Sequence, residues 1–186
     1  MSNSDPSSGP LGPSSPPTRP LFIYGTLRAL PLLAWVLTGD SSNASAISKL
    51  VKPARIYGYA RFSLRGRDYP ALVKHDTQSS TDGYILTLET ATQRKKVDIF
   101  EGRAYRLETV TATILLETNK NHQEHSCVNG GRVVDADVYL WAGEKDALTA
   151  NPWELEYFEK NVLEGWINLF AGMELVSEDD ESPAAS

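Results

Sequence analysis

The chain reads as an α+β protein, a small mixed β-barrel or strongly curved sheet with flanking helices. Three observations predict this. Short runs of branched and aromatic residues recur along the sequence and are joined by turn-forming residues, as hairpin-linked strands are. Few stretches carry helical spacing, and no internal repeat is visible. At 186 residues, 41% hydrophobic and 9% aromatic, the chain can bury one real core, and a second full domain does not fit.

Each element follows from local pattern. Residues 1–19, rich in Ser and Pro, cannot repay the entropy of ordering and lack the apolar stretch of a secretory signal, which predicts a disordered arm. Leu21 to Leu27 is a short apolar strand running into a turn at Tyr24-Gly25-Thr26-Leu27. Ala29 to Leu37 predicts a helix with Pro31 in its first turn, ended by Gly39 and the Ser/Asn cluster at 41–45. Ile56 to Leu64 predicts a strand, Arg65-Gly66-Arg67-Asp68 a turn, and Ala71 to Val73 another strand. Asp82-Gly83 is expected to turn the chain into a strand over Tyr84 to Leu88. Thr90 to Phe100 changes period, with Val97 and Phe100 three apart and Gln93, Arg94, Lys95 and Lys96 left for water. That helix stops at Gly102 and carries Glu101 at its end.

Beyond it, Val110, Ala112, Ile114 and Leu116 alternate with Thr109, Thr111 and Thr113 as one face of a strand. The polar stretch Asn119 to Arg132, with Asn129-Gly130-Gly131, predicts a long hairpin loop. Val134 to Trp141 alternates most regularly, with Val134, Ala136, Val138 and Leu140 expected in the core. Pro152 opens a helix in which Leu155, Phe158, Val162 and Trp166 share one face and Glu154, Glu156, Glu159 and Lys160 the other. It is expected to pack on the sheet as a flank or lid, with Trp166 to Phe170 as packing rather than a cofactor box. Residues 177–186 are acidic and non-periodic and predict a solvated tail. The folded domain is therefore 20–176.

Composition excludes several classes. A net charge of −6 argues against broad nucleic-acid affinity, which needs clustered Lys and Arg. No apolar run reaches membrane-spanning length. With Cys127 alone, no intrachain disulfide forms, and a reducing, cytoplasmic setting is expected. Asn43-Ala44-Ser45 matches a glycosylation acceptor but is expected to stay unmodified without a secretory route. There is no phosphate loop with a Lys and no Gly-x-Gly-x-x-Gly fingerprint. His122, His125 and Cys127 are zinc-type ligands, yet they fall in a polar loop without an evident fourth ligand, so no metal is expected.

Two features point to chemistry. A strand that breaks at Gly25 can present several backbone N–H groups at one point, because Gly tolerates positive φ and close backbone approach. Such donors want an anion or a carbonyl oxygen. Glu101, placed where a helix turns, is the first candidate for a catalytic base. For that role its pKa must rise by partial burial, with Phe100 and Tyr105 as the apolar wall. Tyr139 projects opposite Val138, towards a pocket or solvent. Arg65, Arg67 and Tyr69 either grip a carboxylate or form a solvated turn, and Arg106 is expected to pair with a surface acid.

Taken in order, the turn at 24–27, the stretch Arg65 to Val73, Phe100-Glu101-Gly102 with Tyr105-Arg106, and Val138-Tyr139-Leu140-Trp141 resemble the gamma-glutamylcyclotransferase-like superfamily, nearest its avirulence-induced-gene branch. The resemblance covers roughly residues 20–170. It implies a small mixed barrel with flanking helices, a small-molecule γ-glutamyl substrate and no cofactor. It assigns general acid/base work to Glu101 and substrate binding to Tyr24, Gly25, Thr26 and Leu27; Tyr69 and Tyr139 join them as candidate substrate contacts on the reading of the residues alone. The implied reaction is cyclisation of a γ-glutamyl amine or amino acid to 5-oxoproline. A non-catalytic module binding a small carboxylate, and a related γ-glutamyl-processing acyltransferase, are the alternatives. The leaving group is expected to be read by loops 39–50, 65–70 and 118–132.

Overall fold

The computed structural model describes residues 18–115 and 131–175. Most of the predicted N-terminal arm, the greater part of the 119–132 loop with His122, His125 and Cys127, and the acidic tail lie outside the described residues.

Strand β1, Leu21–Ile23, is only three residues long, because the chain leaves the sheet at Tyr24. Its alternation sets the architecture. Leu21 and Ile23 face a core shared with the helices, whereas Phe22 and Tyr24 face a second core inside the barrel. Helix α1, Leu30–Thr38, has Pro31 in its first turn and ends at Gly39, whose φ of 79° is the left-handed conformation of a helix C-cap. The Ser/Asn cluster that follows coils into a short helix, α2, Ala44–Ile47.

Sequence pattern predicted one strand over Ile56 to Leu64, and the structure has two. Strand β2, Val51–Tyr57, and strand β3, Tyr59–Ser63, are divided by Gly58 at φ 80°. Pro53 hid the start of β2, since Pro argues against a paired strand. Here it pairs with Tyr84 on one side while its carbonyl accepts the Leu115 N–H at 2.8 Å on the other, so no donor is asked of it. Strand β3 forms a hairpin with β4, Pro70–Lys74.

The expected Asp82-Gly83 turn is instead the middle of strand β5, Ser80–Leu86. Both residues have strand reasons. Asp82 pairs across the ladder with Arg55, at 2.5 and 3.0 Å. At Gly83 a Cβ would lie 2.3 Å from the Ile23 carbonyl oxygen and 2.7 Å from the Phe22 ring, so only Gly lets β1 close on β5.

Helix α3, Ala91–Glu101, begins at Thr90, whose hydroxyl caps the Gln93 N–H at 3.1 Å, and ends at Gly102 with φ 68°. Strand β6, Tyr105–Ile114, starts well before the alternating stretch, and β7 is Val133–Trp141. The strands close in the order β1-β5-β2-β6-β7, with β1 and β7 parallel and the other neighbours antiparallel. This is the mixed barrel the sequence predicts.

The helix expected from Pro152 is broken at Val162, giving α4, Leu155–Asn161, and α5, Leu163–Phe170. Phe158 is buried on one side of the break, while Trp166 and Phe170 pack towards Trp35 and Phe100 on the other. Strand β7 is covered on both faces: Ala136, Val138 and Leu140 fill the barrel, and Tyr139 belongs to the helix-side core. Among the described residues no helix is long and apolar enough to cross a membrane.

Because the Gly83 site is closed by backbone rather than by a movable side chain, Gly83→Ala is expected to cost about 2–3 kcal/mol. Chemical denaturation of the variant beside the wild type measures this.

Candidate active site

The site is built where the two cores meet. A cavity of about 420 Å³ opens between the barrel and the helices, and Tyr24, Gly25, Thr26, Leu27, Tyr69, Glu101 and Tyr139 all line it. Chain segments far apart in sequence thus bring Glu101 and the six expected substrate contacts to one hollow.

The 24–27 turn owes its glycine to packing rather than to positive φ. Gly25 has φ −115°, and a Cβ there would lie 2.9 Å from Pro70 Cγ. A 3-10 turn over Thr26–Arg28 follows, closed by Arg28 N–H to Gly25 O and Ala29 N–H to Thr26 O, each at 3.0 Å. The N–H groups that open such a turn, here those of Thr26 and Leu27, have no acceptor within it. Arg61, which sequence pattern did not single out, braces the turn. Its Nη1 donates to the Tyr24 carbonyl at 2.7 Å, and its guanidinium lies over the Trp153 ring, 5.4 Å from the centroid. An Arg set among the aromatics of a strand was the available signal.

Glu101 stands at the last turn of α3. Among the described residues its carboxyl makes no hydrogen bond and no ion pair. Burial pushes it up to about 8, and the Asp98 carboxylate one helical turn earlier adds to the shift. Three tyrosines surround it, and each hydroxyl is committed elsewhere. Tyr24 donates to the Tyr139 carbonyl at 2.6 Å, Tyr105 donates to the Pro70 carbonyl at 2.8 Å, and Tyr139 donates to Asp98 Oδ1. Burial, with the Glu101 charge as a further cause, holds all three phenols above their ordinary range. They are neutral walls, and the acid between them is free to exchange a proton.

Asp98 is the second residue missed from sequence. It accepts from Tyr139 and from Arg94 Nε at 3.0 Å, and Arg94 reaches on to Asp137 at 3.1 Å. Asp137 in turn pairs with Arg19 at 2.8 Å. The spacing of Arg94, Asp98 and Glu101 on one helix face was legible as i, i+4 and i, i+3 neighbours.

Other candidates lie elsewhere. Arg65 and Arg67 are exposed and do not line the cavity. Arg106 pairs with Glu108 at 2.9 Å, as expected of a surface cation. The 39–50 segment, expected to read the leaving group, contributes nothing to the cavity wall, and of 65–70 only Tyr69 and Pro70 do. Trp35, Phe100, Trp166 and Phe170 supply an aromatic part of the wall, so the helices are part of the site. Among the described residues no cluster of His, Cys, Asp and Glu is arranged to hold a metal.

A closed mixed barrel with an unpaired carboxyl beside a glycine turn defines a class: an α+β barrel protein with a small-molecule pocket at the barrel's edge. The family described as Gamma-glutamyl cyclotransferase, AIG2-like matches residues 21–157, and the chain belongs to it. Protein AIG2 C of Arabidopsis thaliana is 23% identical over 160 residues, spanning 86% of this chain and 84% of that protein. AIG2-like protein D of the same plant is 24% identical over 149 residues, or 80% and 84% of the two chains. The fold is shared with a solution structure of an Arabidopsis thaliana protein, at TM-score 0.53 and 20% identity over 94% of this chain and 97% of that one.

The Glu101 environment has a consequence for folding. Its folded value of about 8 exceeds the ordinary 4.5, so the folded state holds an extra proton between those values and stability falls as pH rises through that window. Glu101→Gln removes this loss. Thermal denaturation is expected to show the variant gaining on wild type between about pH 5 and about pH 9; a pH-independent difference contradicts the buried acid.

Proposed function

We propose that the chain cyclises a γ-glutamyl amine or γ-glutamyl amino acid to 5-oxoproline and releases the amine, with Glu101 as general acid/base and no cofactor taking part. The observation that carries this reading is the unpaired Glu101 carboxyl in a cavity shared with the 24–27 turn, in a chain of the gamma-glutamyl cyclotransferase family.

The bond changes balance within one molecule and one side chain. Ionised Glu101 takes a proton from the substrate α-ammonium, and the freed amine attacks its own γ-carbonyl carbon. A C–N bond forms, and the carbonyl oxygen gathers negative charge. Donors at Thr26 and Leu27 are the groups able to receive it. Protonated Glu101 gives its proton to the departing nitrogen and, ionised again, takes the second proton from the new ring nitrogen. The original C–N bond breaks, the carbonyl re-forms, and that second proton leaves with the released amine as its ammonium, restoring ionised Glu101. Nucleophile and electrophile start in the same chain, so the cavity has chiefly to fold the glutamyl group upon itself.

The raised pKa suits both halves of this cycle. An ordinary carboxylate is a weak acceptor for an ammonium proton, whereas an acid near 8 is closely matched to it. The cost is that only about one-tenth of the free protein is ionised at neutral pH. A non-catalytic carboxylate binder would hold γ-glutamyl compounds without releasing 5-oxoproline. An acyltransferase passing the glutamyl group to another acceptor would consume substrate without forming 5-oxoproline.

With γ-glutamyl substrates, kcat/KM for 5-oxoproline release is expected to rise as pH approaches about 8, following ionisation of Glu101. Glu101→Gln, which keeps the size but not the proton acceptor, is expected to lower turnover by about 100-fold or more. Wild-type-like turnover in that variant removes Glu101 from the mechanism. A second variant tests the turn: Gly25→Ala forces a methyl against Pro70, and a drop in kcat of about 10-fold or more with little loss of thermal stability is expected.

A further inference from the structure

We infer that the amine released from this cavity is apolar or aromatic and carries no carboxylate, because the wall left for it is an aromatic one with an acid at its rim. This deepens the cyclotransferase reading and rests on it. The glutamyl half of a substrate is zwitterionic and needs the polar side of the site, namely the 24–27 turn and Glu101. Whatever is attached to its γ-carbonyl must then extend along the other wall.

That wall is continuous aromatic surface brought together from three helices. Trp35 of α1 stacks on Phe170 of α5 with ring centroids 4.7 Å apart, Phe100 of α3 meets Phe170 at 6.3 Å, and Trp166 meets Phe170 at 5.9 Å. Met173, 55% exposed, continues it to the rim beside Glu174. Among the described residues that line the cavity, the charged side chains are Glu101 and Glu174, both acids. An apolar or aromatic group gains by burying its surface against these rings. A carboxylate in the same place loses hydration, meets the negative faces of the rings, and is repelled by Glu174. Trp166, Phe170, Met173 and Glu174 all follow residue 157, where the family match ends. The α5 side of this wall therefore lies outside the stretch by which the family is recognised, whereas Trp35, Phe100, the turn and Glu101 lie within it.

Two ligands that differ by a single carboxylate test the inference: γ-glutamyl-phenethylamide and γ-glutamyl-phenylalanine. Binding is measured by calorimetry on Glu101→Gln, and turnover on the wild type by 5-oxoproline release. The phenethylamide is expected to bind and react better by about tenfold or more. Glu174→Lys, a change at an exposed rim position, is expected to shift the ratio towards γ-glutamyl-phenylalanine, and Trp166→Ala to weaken the phenethylamide selectively. Equal or tighter binding of γ-glutamyl-phenylalanine, or binding of neither ligand, overturns the inference. Preferential binding of the phenethylamide with no 5-oxoproline from either compound supports the selectivity of the wall and rejects the cyclisation instead.

Discussion

The site depends on one constraint, a carboxyl buried among tyrosines that have nothing left to offer it. A buried acid normally finds a cation or a set of donors, and its pKa then falls. Beside Glu101 three hydroxyls are engaged elsewhere: Tyr24 with the Tyr139 carbonyl, Tyr105 with the Pro70 carbonyl and Tyr139 with Asp98. Burial, with the Asp98 carboxylate adding to it, pushes the acid up to about 8, and these three hydroxyls give it no hydrogen bond that would bring it back down. Those same bonds join β6 to β4 and the end of β1 to β7, so the interactions that leave the acid unpaired also hold the barrel's edge together.

Close backbone approach is the second requirement, and two glycines meet it. Gly83 lets β1 settle onto β5, which fixes Phe22 inside the barrel and delivers Tyr24 to its rim. Gly25 then lets the turn lie against Pro70, at the start of β4, which carries Tyr69 and the Tyr105 acceptor to the same place. Neither glycine has positive φ. What each provides is the absence of a side chain where two segments touch, and the cavity is shaped by those contacts.

Sequence pattern revealed much of this, and its failures have physical causes. Helix α3 was legible because Thr90 and Gly102 mark both ends and the polar face is unbroken. Glu101 followed from that ending. Strand β7 was legible as a strand, but its second buried face was not, because alternation marks one apolar side and Tyr139 and Asp137 look like the solvent side. Strand β5 was misread because Asp82-Gly83 is also a turn signal, and only the positions of Arg55 and Phe22 show otherwise. The start of β2 was hidden by Pro53, whose missing donor matters only once its neighbours are known. Arg61 and Asp98 were missed for a related reason. Their partners, the Tyr24 carbonyl and the Tyr139 hydroxyl, are distant in sequence, and charge alone does not mark a residue as a brace.

Asp98 shows why the acid and its supports cannot be separated. A second carboxylate one turn from Glu101 raises its proton affinity and by itself disfavours the C-terminal end of the helix. Arg94 offsets that charge on the outer side, bridging Asp98 to Asp137, which sits on β7 beside the parallel pairing of Leu21 with the barrel. The Tyr139 hydroxyl completes the link from the inner side. Helix α3 is thus fastened to β7 by two bonds, Tyr139 to Asp98 and Arg94 to Asp137, and the position of Glu101 is set by that strand. Replacing Asp98 by an apolar residue would relieve the like charge, yet it would also free the Tyr139 hydroxyl to turn towards Glu101. The tuning of the acid and the docking of its helix therefore rest on the same oxygen atoms, and neither can be altered without disturbing the other.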